Sequence, residues 1–148
     1  MRYIPDLIIR GSDESPVAMI DVKGAGELSP ERAKGIFENY RATVGDALPA
    51  YFLVVSPQRG FLWKGDSLRP DGAANAAFAM DEIFRDYPDP RDDADVPRGR
   101  MLEYVVFHWL FDVATGHRRP HTQADEQLRQ AGFTESIRDA RVSFGLAA

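Results

Sequence analysis

The pattern of apolar and polar positions divides the chain into two unlike halves. Tyr3–Arg10 (YIPDLIIR) and Val17–Lys23 (VAMIDVK) are apolar runs rich in branched residues, separated by Gly11-Ser12-Asp13-Glu14-Ser15-Pro16. So short a polar turn between two extended runs predicts an antiparallel hairpin. Ser29-Pro30-Glu31-Arg32 reads as a helix start, with Ser29 as N-cap and Pro30 at the first helical position. Ala33, Ile36, Phe37 and Tyr40 follow at helical spacing, and the helix is expected to end near Gly45. Ala50–Ser56 (AYFLVVS) has the continuous apolar character of a central strand covered on both faces, and Phe61–Lys64 (FLWK) reads as an edge strand after the Pro57–Gly60 turn.

Beyond residue 69 the pattern becomes helical. Ala73–Arg85 reads as an alanine-rich helix stopped by Tyr87-Pro88-Asp89-Pro90, and Arg91–Gly99 as a polar loop. Met101–Ala114 (MLEYVVFHWLFDVA) is apolar on nearly every face and predicts a deeply buried helix. Thr122–Ala131 reads as a more polar helix, with a short last element over Ile137–Val142. The expected fold is α/β, a mixed sheet with flanking helices, in one domain: residues 1–69 form the sheet core and 70–148 a helical extension packed on it.

Composition narrows the function. The 148 residues are 44% hydrophobic and 28% charged, ordinary for a folded domain, and no apolar run reaches the length of a membrane span. No signal-peptide core stands at Met1–Arg10, and a cytoplasmic location without membrane contact is expected. Without cysteine there is no disulfide, thiolate metal site or cysteine nucleophile. Residues 1–69 carry 9 basic and 9 acidic side chains, whereas 70–148 carry 9 and 14, which accounts for the whole net charge of −5. Nucleic-acid binding therefore requires a local patch rather than a general basic field.

Candidate chemistry gathers at Asp6, Asp21 and Lys23. An acid-x-lysine triplet is weak by itself. A hairpin turning midway through Gly11–Pro16, however, sets Asp6 nearly opposite Asp21, and strand alternation puts Asp21 and Lys23 on one face. Two facing carboxylates call for a cation between them, and Mg²⁺ suits such a pair, keeping waters and taking substrate phosphate into its shell. Lys23 is then positioned to hold an attacking hydroxide or a scissile phosphate. The plain alternative is an Asp21–Lys23 ion pair on a solvated face.

Pro5-Asp6, a spacer of 14 residues, and Asp21-Val22-Lys23 resemble the PD-(D/E)xK nuclease superfamily, the restriction-endonuclease-like fold. The order that follows is similar too: a glycine-containing exit, a helix ending in Asn39-Tyr40, and the apolar strand Tyr51–Ser56. The stretch through Lys64 looks most like the N-terminal nuclease domains of type I restriction enzymes, and the resemblance covers roughly residues 2–65. It implies a metal-dependent nuclease acting on DNA, with RNA left open, in which Asp6, Asp21 and the Val22 carbonyl bind Mg²⁺ or Mn²⁺ and Lys23 is the catalytic lysine. Two features depart from the pattern. The helix, with its metal-binding glutamate, and strand that usually precede the Pro-Asp motif have only about four residues here, so Glu103 on the Met101–Ala114 helix is nominated as a replacement metal ligand, in a permuted arrangement. A homodimer or larger complex is the other way to complete the fold. In addition, the glutamine found in one branch four residues before the tyrosine is Ile36. The second functional reading is a catalytically idle domain of this fold, serving as a nucleic-acid-binding or assembly module.

Elsewhere the signals are weaker. His117-x-x-x-His121 has metal-like spacing, but Pro120 breaks the helix it would need. Arg118 and Arg119 in the same loop are expected weak nucleic-acid contacts, against the alternative of cations favoured at a helix C-terminus. No serine has a positioned base, and no phosphate-binding glycine loop is present.

Overall fold

A computed structural model describes residues 4–24, 27–87 and 98–145, the first three residues of the last stretch by their backbone. It is a mixed α/β structure of six strands and five helices among these residues. The hairpin is formed by β1 (Leu7–Arg10) and β2 (Pro16–Val22), and is followed by α1 (Pro30–Val44) and β3 (Tyr51–Val55). Then come β4 (Arg59–Lys64), β5 (Ala76–Ala79), α2 (Met80–Phe84), α3 (Arg98–Thr115), α4 (Gln123–Gln130), α5 (Phe133–Ser136) and β6 (Arg141–Phe144). The sheet runs β5-β4-β3-β2-β1-β6; β2 and β3 are parallel and all other neighbours antiparallel.

The crossover β2–α1–β3 sets the frame. Ser29 Oγ accepts the Arg32 N–H at 3.1 Å, Pro30 opens the helix, and Gly45 closes it at φ 63° with its N–H on the Arg41 carbonyl. Ala33, Phe37 and Tyr40 pack on Phe52, Val54, Phe61 and Trp63 of the sheet, with Phe37 stacked on Trp63 and Tyr40 on Phe52. On the opposite face Leu7, Ile9, Ile20, Leu53 and Leu62 meet Val106, Trp109, Leu110, Leu128 and Phe133 from α3, α4 and α5. The central strands are thus covered on both sides, as the unbroken apolar run Tyr51–Val55 requires.

Several expectations are corrected. Ala73–Arg85 is not one helix: Ala76–Ala79 is a strand and only Met80–Phe84 is helical. Pairing overrides alanine's helix propensity, because the Asn75 N–H donates to the Leu62 carbonyl and the Asn75 side chain bridges the Lys64 N–H and the Ser67 carbonyl. The end of the Phe78 ring then packs on Gly60, where any Cβ would be 2.2 Å from it. Since β5 takes the edge, Phe61–Lys64 belongs to an interior strand. Its signal was in the sequence: Phe61, Leu62 and Trp63 are all buried, a run that faces both layers. The last element begins later than expected and is a strand, β6, beside β1. The Met101–Ala114 helix exists within α3, but one face stays outside, with Tyr104 46% and Phe111 45% exposed. The polar loop expected at 91–99 falls outside the described residues up to 97, and Arg98 and Gly99 already belong to α3. Among the described residues no helix is long and apolar enough to cross a membrane.

Candidate metal and phosphodiester site

The hairpin register is the one expected: Leu7 pairs with Ile20, Ile8 with Met19 and Ile9 with Ala18. Just ahead of β1, the Asp6 N–H donates to the Ile20 carbonyl at 3.1 Å, and the Asp6 carboxylate accepts the Val22 N–H at 2.6 Å. This brings the Asp6 and Asp21 carboxyls within hydrogen-bonding reach. Lys23 follows, its N–H on the Val55 carbonyl and its Nζ 3.4 Å from Asp21 Oδ1. All three side chains stand at one end of the sheet, where β2 and β3 finish. Glu103, in the second turn of α3, reaches Asp6 through a hydrogen bond and its charge. The structure therefore brings together the four side chains nominated from sequence.

Electrostatics at this point are unfavourable in the protein alone. Asp21 is only 9% exposed, and burial, followed by the bond to Asp6, pushes its pKa up to about 6, with Lys23 pulling the other way. Burial also raises Asp6, opposed by Asp21 and the Val22 N–H and reinforced by Glu103. Because each carboxyl shifts the other, the two aspartates titrate as a pair. Between its ordinary 3.8 and about 6, folded Asp21 holds a proton that the unfolded chain releases, so this group's contribution to stability falls as pH rises through that window. In metal-free urea unfolding, Asp21→Asn should therefore gain on wild type with rising pH, by on the order of 2 kcal/mol above pH 6. A difference independent of pH would show that Asp21 ionises at its ordinary value.

Among the described residues no group of three His, Cys, Asp or Glu side chains is placed to hold a metal ion on its own. The donor set fits a different demand. Two adjacent oxygen-donor carboxylates match Mg²⁺ or Mn²⁺, which take one or two carboxylates and complete the shell with water and substrate phosphate. It does not fit a closed, all-protein cage.

Sequence reasoning missed the residue that seats Asp6. At the end of β6 the Gly145 N–H donates to the Asp6 carbonyl at 2.9 Å, and a Cβ there would stand 1.8 Å from the Pro5 carbonyl oxygen. Because the obstacle is backbone, Gly145→Ala must move Pro5-Asp6. A loss of about 1–3 kcal/mol in urea unfolding is expected, together with weaker Mn²⁺ binding. A variant with unaltered stability and Mn²⁺ affinity would show that the contact does not seat Asp6. Only a partner 139 residues away reveals this glycine's task, so no local signal could have found it.

The basic loop after α3 is tied internally. His117 and His121 are exposed, but the Arg118 guanidinium is buried against Asp125 at 2.9 and 3.0 Å and reaches Asp86 at 3.0 Å. Arg118 is thus held inside the protein by two carboxylates; Arg119 beside it is exposed. The loop follows the C-terminus of α3, at the far end of that helix from Glu103.

The fold and site thus define an α/β protein with a lysine-flanked dicarboxylate at the end of its sheet. Comparison with protein-family models, curated proteins and solved structures gives no match for the chain.

Proposed function

We propose that the chain is a Mg²⁺- or Mn²⁺-dependent nuclease of the restriction-endonuclease-like type, hydrolysing phosphodiester bonds of DNA in the cytoplasm. The observation that carries this reading is the meeting of Asp6 and Asp21 within hydrogen-bonding reach, with Lys23 Nζ 3.4 Å from Asp21. Topology supports it. A hairpin, a crossover helix and a strand parallel to the second hairpin strand follow in the order that the Pro-Asp and Asp-Val-Lys motifs lead one to expect. β6 runs along the free side of β1, and α3 offers Glu103 to Asp6, so the C-terminal part supplies both an extra strand and an extra acid. This favours a permuted completion of the fold within one chain over completion by a dimer partner.

Asp6 and Asp21 would hold the cation, with the Val22 carbonyl beside them and Glu103 steadying Asp6. When bound, the cation supplies charge neutralisation at the scissile phosphate and a more acidic water. The carboxylates must both be ionised to receive it, so binding should strengthen as pH rises through 6. Lys23 donates to the attacking water or to a phosphate oxygen, where negative charge grows in the transition state.

The test is incubation of supercoiled plasmid and single-stranded DNA with the purified chain and Mg²⁺ or Mn²⁺, alongside Mn²⁺ titration by calorimetry. Metal-dependent cutting is expected. If the protein neither cuts nor binds Mn²⁺, the enzymatic reading fails, and an idle binding or assembly module takes its place.

A further inference from the structure

A second cation shares the end of the sheet with Lys23. Asp21 pairs with Val54 and Val54 with Phe61, so these three stand on the α1 face. One step further, the Lys23 N–H donates to the Val55 carbonyl and the Ser56 N–H to the Arg59 carbonyl, both at 2.8 Å. Lys23, Ser56 and Arg59 therefore form the next row on the same face. Lys23 leans back onto Asp21, and the Arg59 guanidinium lies over the Phe61 ring, 5.0 Å from its centroid. Each side chain folds onto the residue two places along its own strand.

Arg59 is exposed, and among the described residues no carboxylate pairs with it. It is also rigidly mounted. Ser56 Oγ accepts the Arg59 N–H at 3.1 Å and lies 3.2 Å from the Arg59 carbonyl, closing the Pro57-Gln58 turn. Contact with the aromatic face narrows the guanidinium's rotamers before any ligand arrives, which lowers the entropic cost of binding. A planar, permanently charged fork held in this way suits a phosphate.

We propose that Arg59 binds a backbone phosphate of the nucleic acid two or three nucleotides from the phosphodiester held at Asp6, Asp21 and Lys23. This rests on the nuclease reading above and deepens it: the substrate is an extended strand rather than a dinucleotide. The two cations are two strand spacings apart, roughly 10 Å, which is the axial rise of about three phosphates on one strand of a duplex. A contact of this kind positions the strand without reading its sequence.

The experiment titrates fluorescein-labelled oligothymidylate by anisotropy, without metal and with Ca²⁺, over a series of KCl concentrations. The proteins are the full chain, Arg59→Ala, Arg59→Lys and Arg41→Ala; Arg41 is an exposed cation in the last turn of α1, at the opposite end of the sheet. Arg59→Ala should weaken binding roughly tenfold and reduce the slope of log K against log salt by about 0.7, one single-strand phosphate's worth. Arg59→Lys should recover part of the affinity, and Arg41→Ala should alter neither quantity. With Mg²⁺ or Mn²⁺ present, the preference for the oligonucleotide over bis(p-nitrophenyl) phosphate in kcat/KM should fall by a similar factor in Arg59→Ala, through KM. Equal binding by wild type and Arg59→Ala overturns the inference, as does an equal loss in Arg41→Ala. Binding that depends on Arg59 without hydrolysis of either substrate overturns the nuclease reading and upholds Arg59 as a phosphate contact.

Discussion

Replacing Asp21 by alanine is expected to abolish metal-dependent cleavage, roughly 10³-fold or more, while leaving the protein folded. In the proposed reaction several kcal/mol of transition-state stabilisation would depend on the cation, and the Asp6–Asp21 pair would be the donor set that holds it. The same substitution removes a buried acid whose ionisation is unfavourable, so stability at neutral pH should hold or rise. Activity and stability then move in opposite directions, which separates a lost site from a lost fold. Lys23→Ala should lower kcat by about 10²–10³ and keep Mn²⁺ binding, because in the proposed reaction the ammonium would act on the reacting atoms rather than on the cation. Calorimetric Mn²⁺ affinity, urea unfolding and plasmid cleavage on the two variants check all of this. Cleavage by Asp21→Ala at the wild-type rate would refute the assignment.

The largest effect on stability should come from the other end of α3. Arg118→Ala is expected to cost about 3–5 kcal/mol and lower Tm by roughly 10 °C. Asp125 is 5% exposed and receives the Arg118 guanidinium through two bonds, together with the His121 and Thr122 N–H groups and the Thr122 hydroxyl. These donors hold its carboxyl below the usual range in spite of burial. Removing the arginine strands a buried charge, which costs more than the pair is worth. Adding Asp125→Asn should therefore return a large part of the loss, and a double variant no more stable than Arg118→Ala would show that the pair carries no such coupling. Differential scanning calorimetry near neutral pH, where the carboxylate is ionised, reads both variants.

These two predictions differ in how far they could be foreseen. The first concerns residues placed by local pattern. The Asp6–Asp21 approach follows from hairpin register, which a short turn and strand alternation settle within about twenty residues of chain. Helix α1 is equally local, with Ser29, Pro30 and Gly45 doing what capping chemistry predicts. The second concerns Arg118, whose loop looked basic and exposed. Its partners, Asp86 on one side and Asp125 on the other, come from separate segments, and their carboxylates turn an apparent phosphate contact into an internal tie.

The sequence by itself determined the hairpin, the crossover helix, the buried third strand and the identity of the acids and lysine at the candidate site, because each follows from interactions between near neighbours. Glu103 could be named from the need for another acid, but only tertiary packing carried it to Asp6. Tertiary structure alone decided the edges of the sheet. Ala76–Ala79 has the composition of a helix and becomes β5 because the exposed side of β4 offers hydrogen bonds that a short alanine helix cannot match. β6 crosses from the far end of the chain to pair with β1, and it seats Asp6 through Gly145. Unpaired strand edges must be satisfied by whatever segment the fold brings within reach, and that choice depends on the whole chain rather than on any stretch of it.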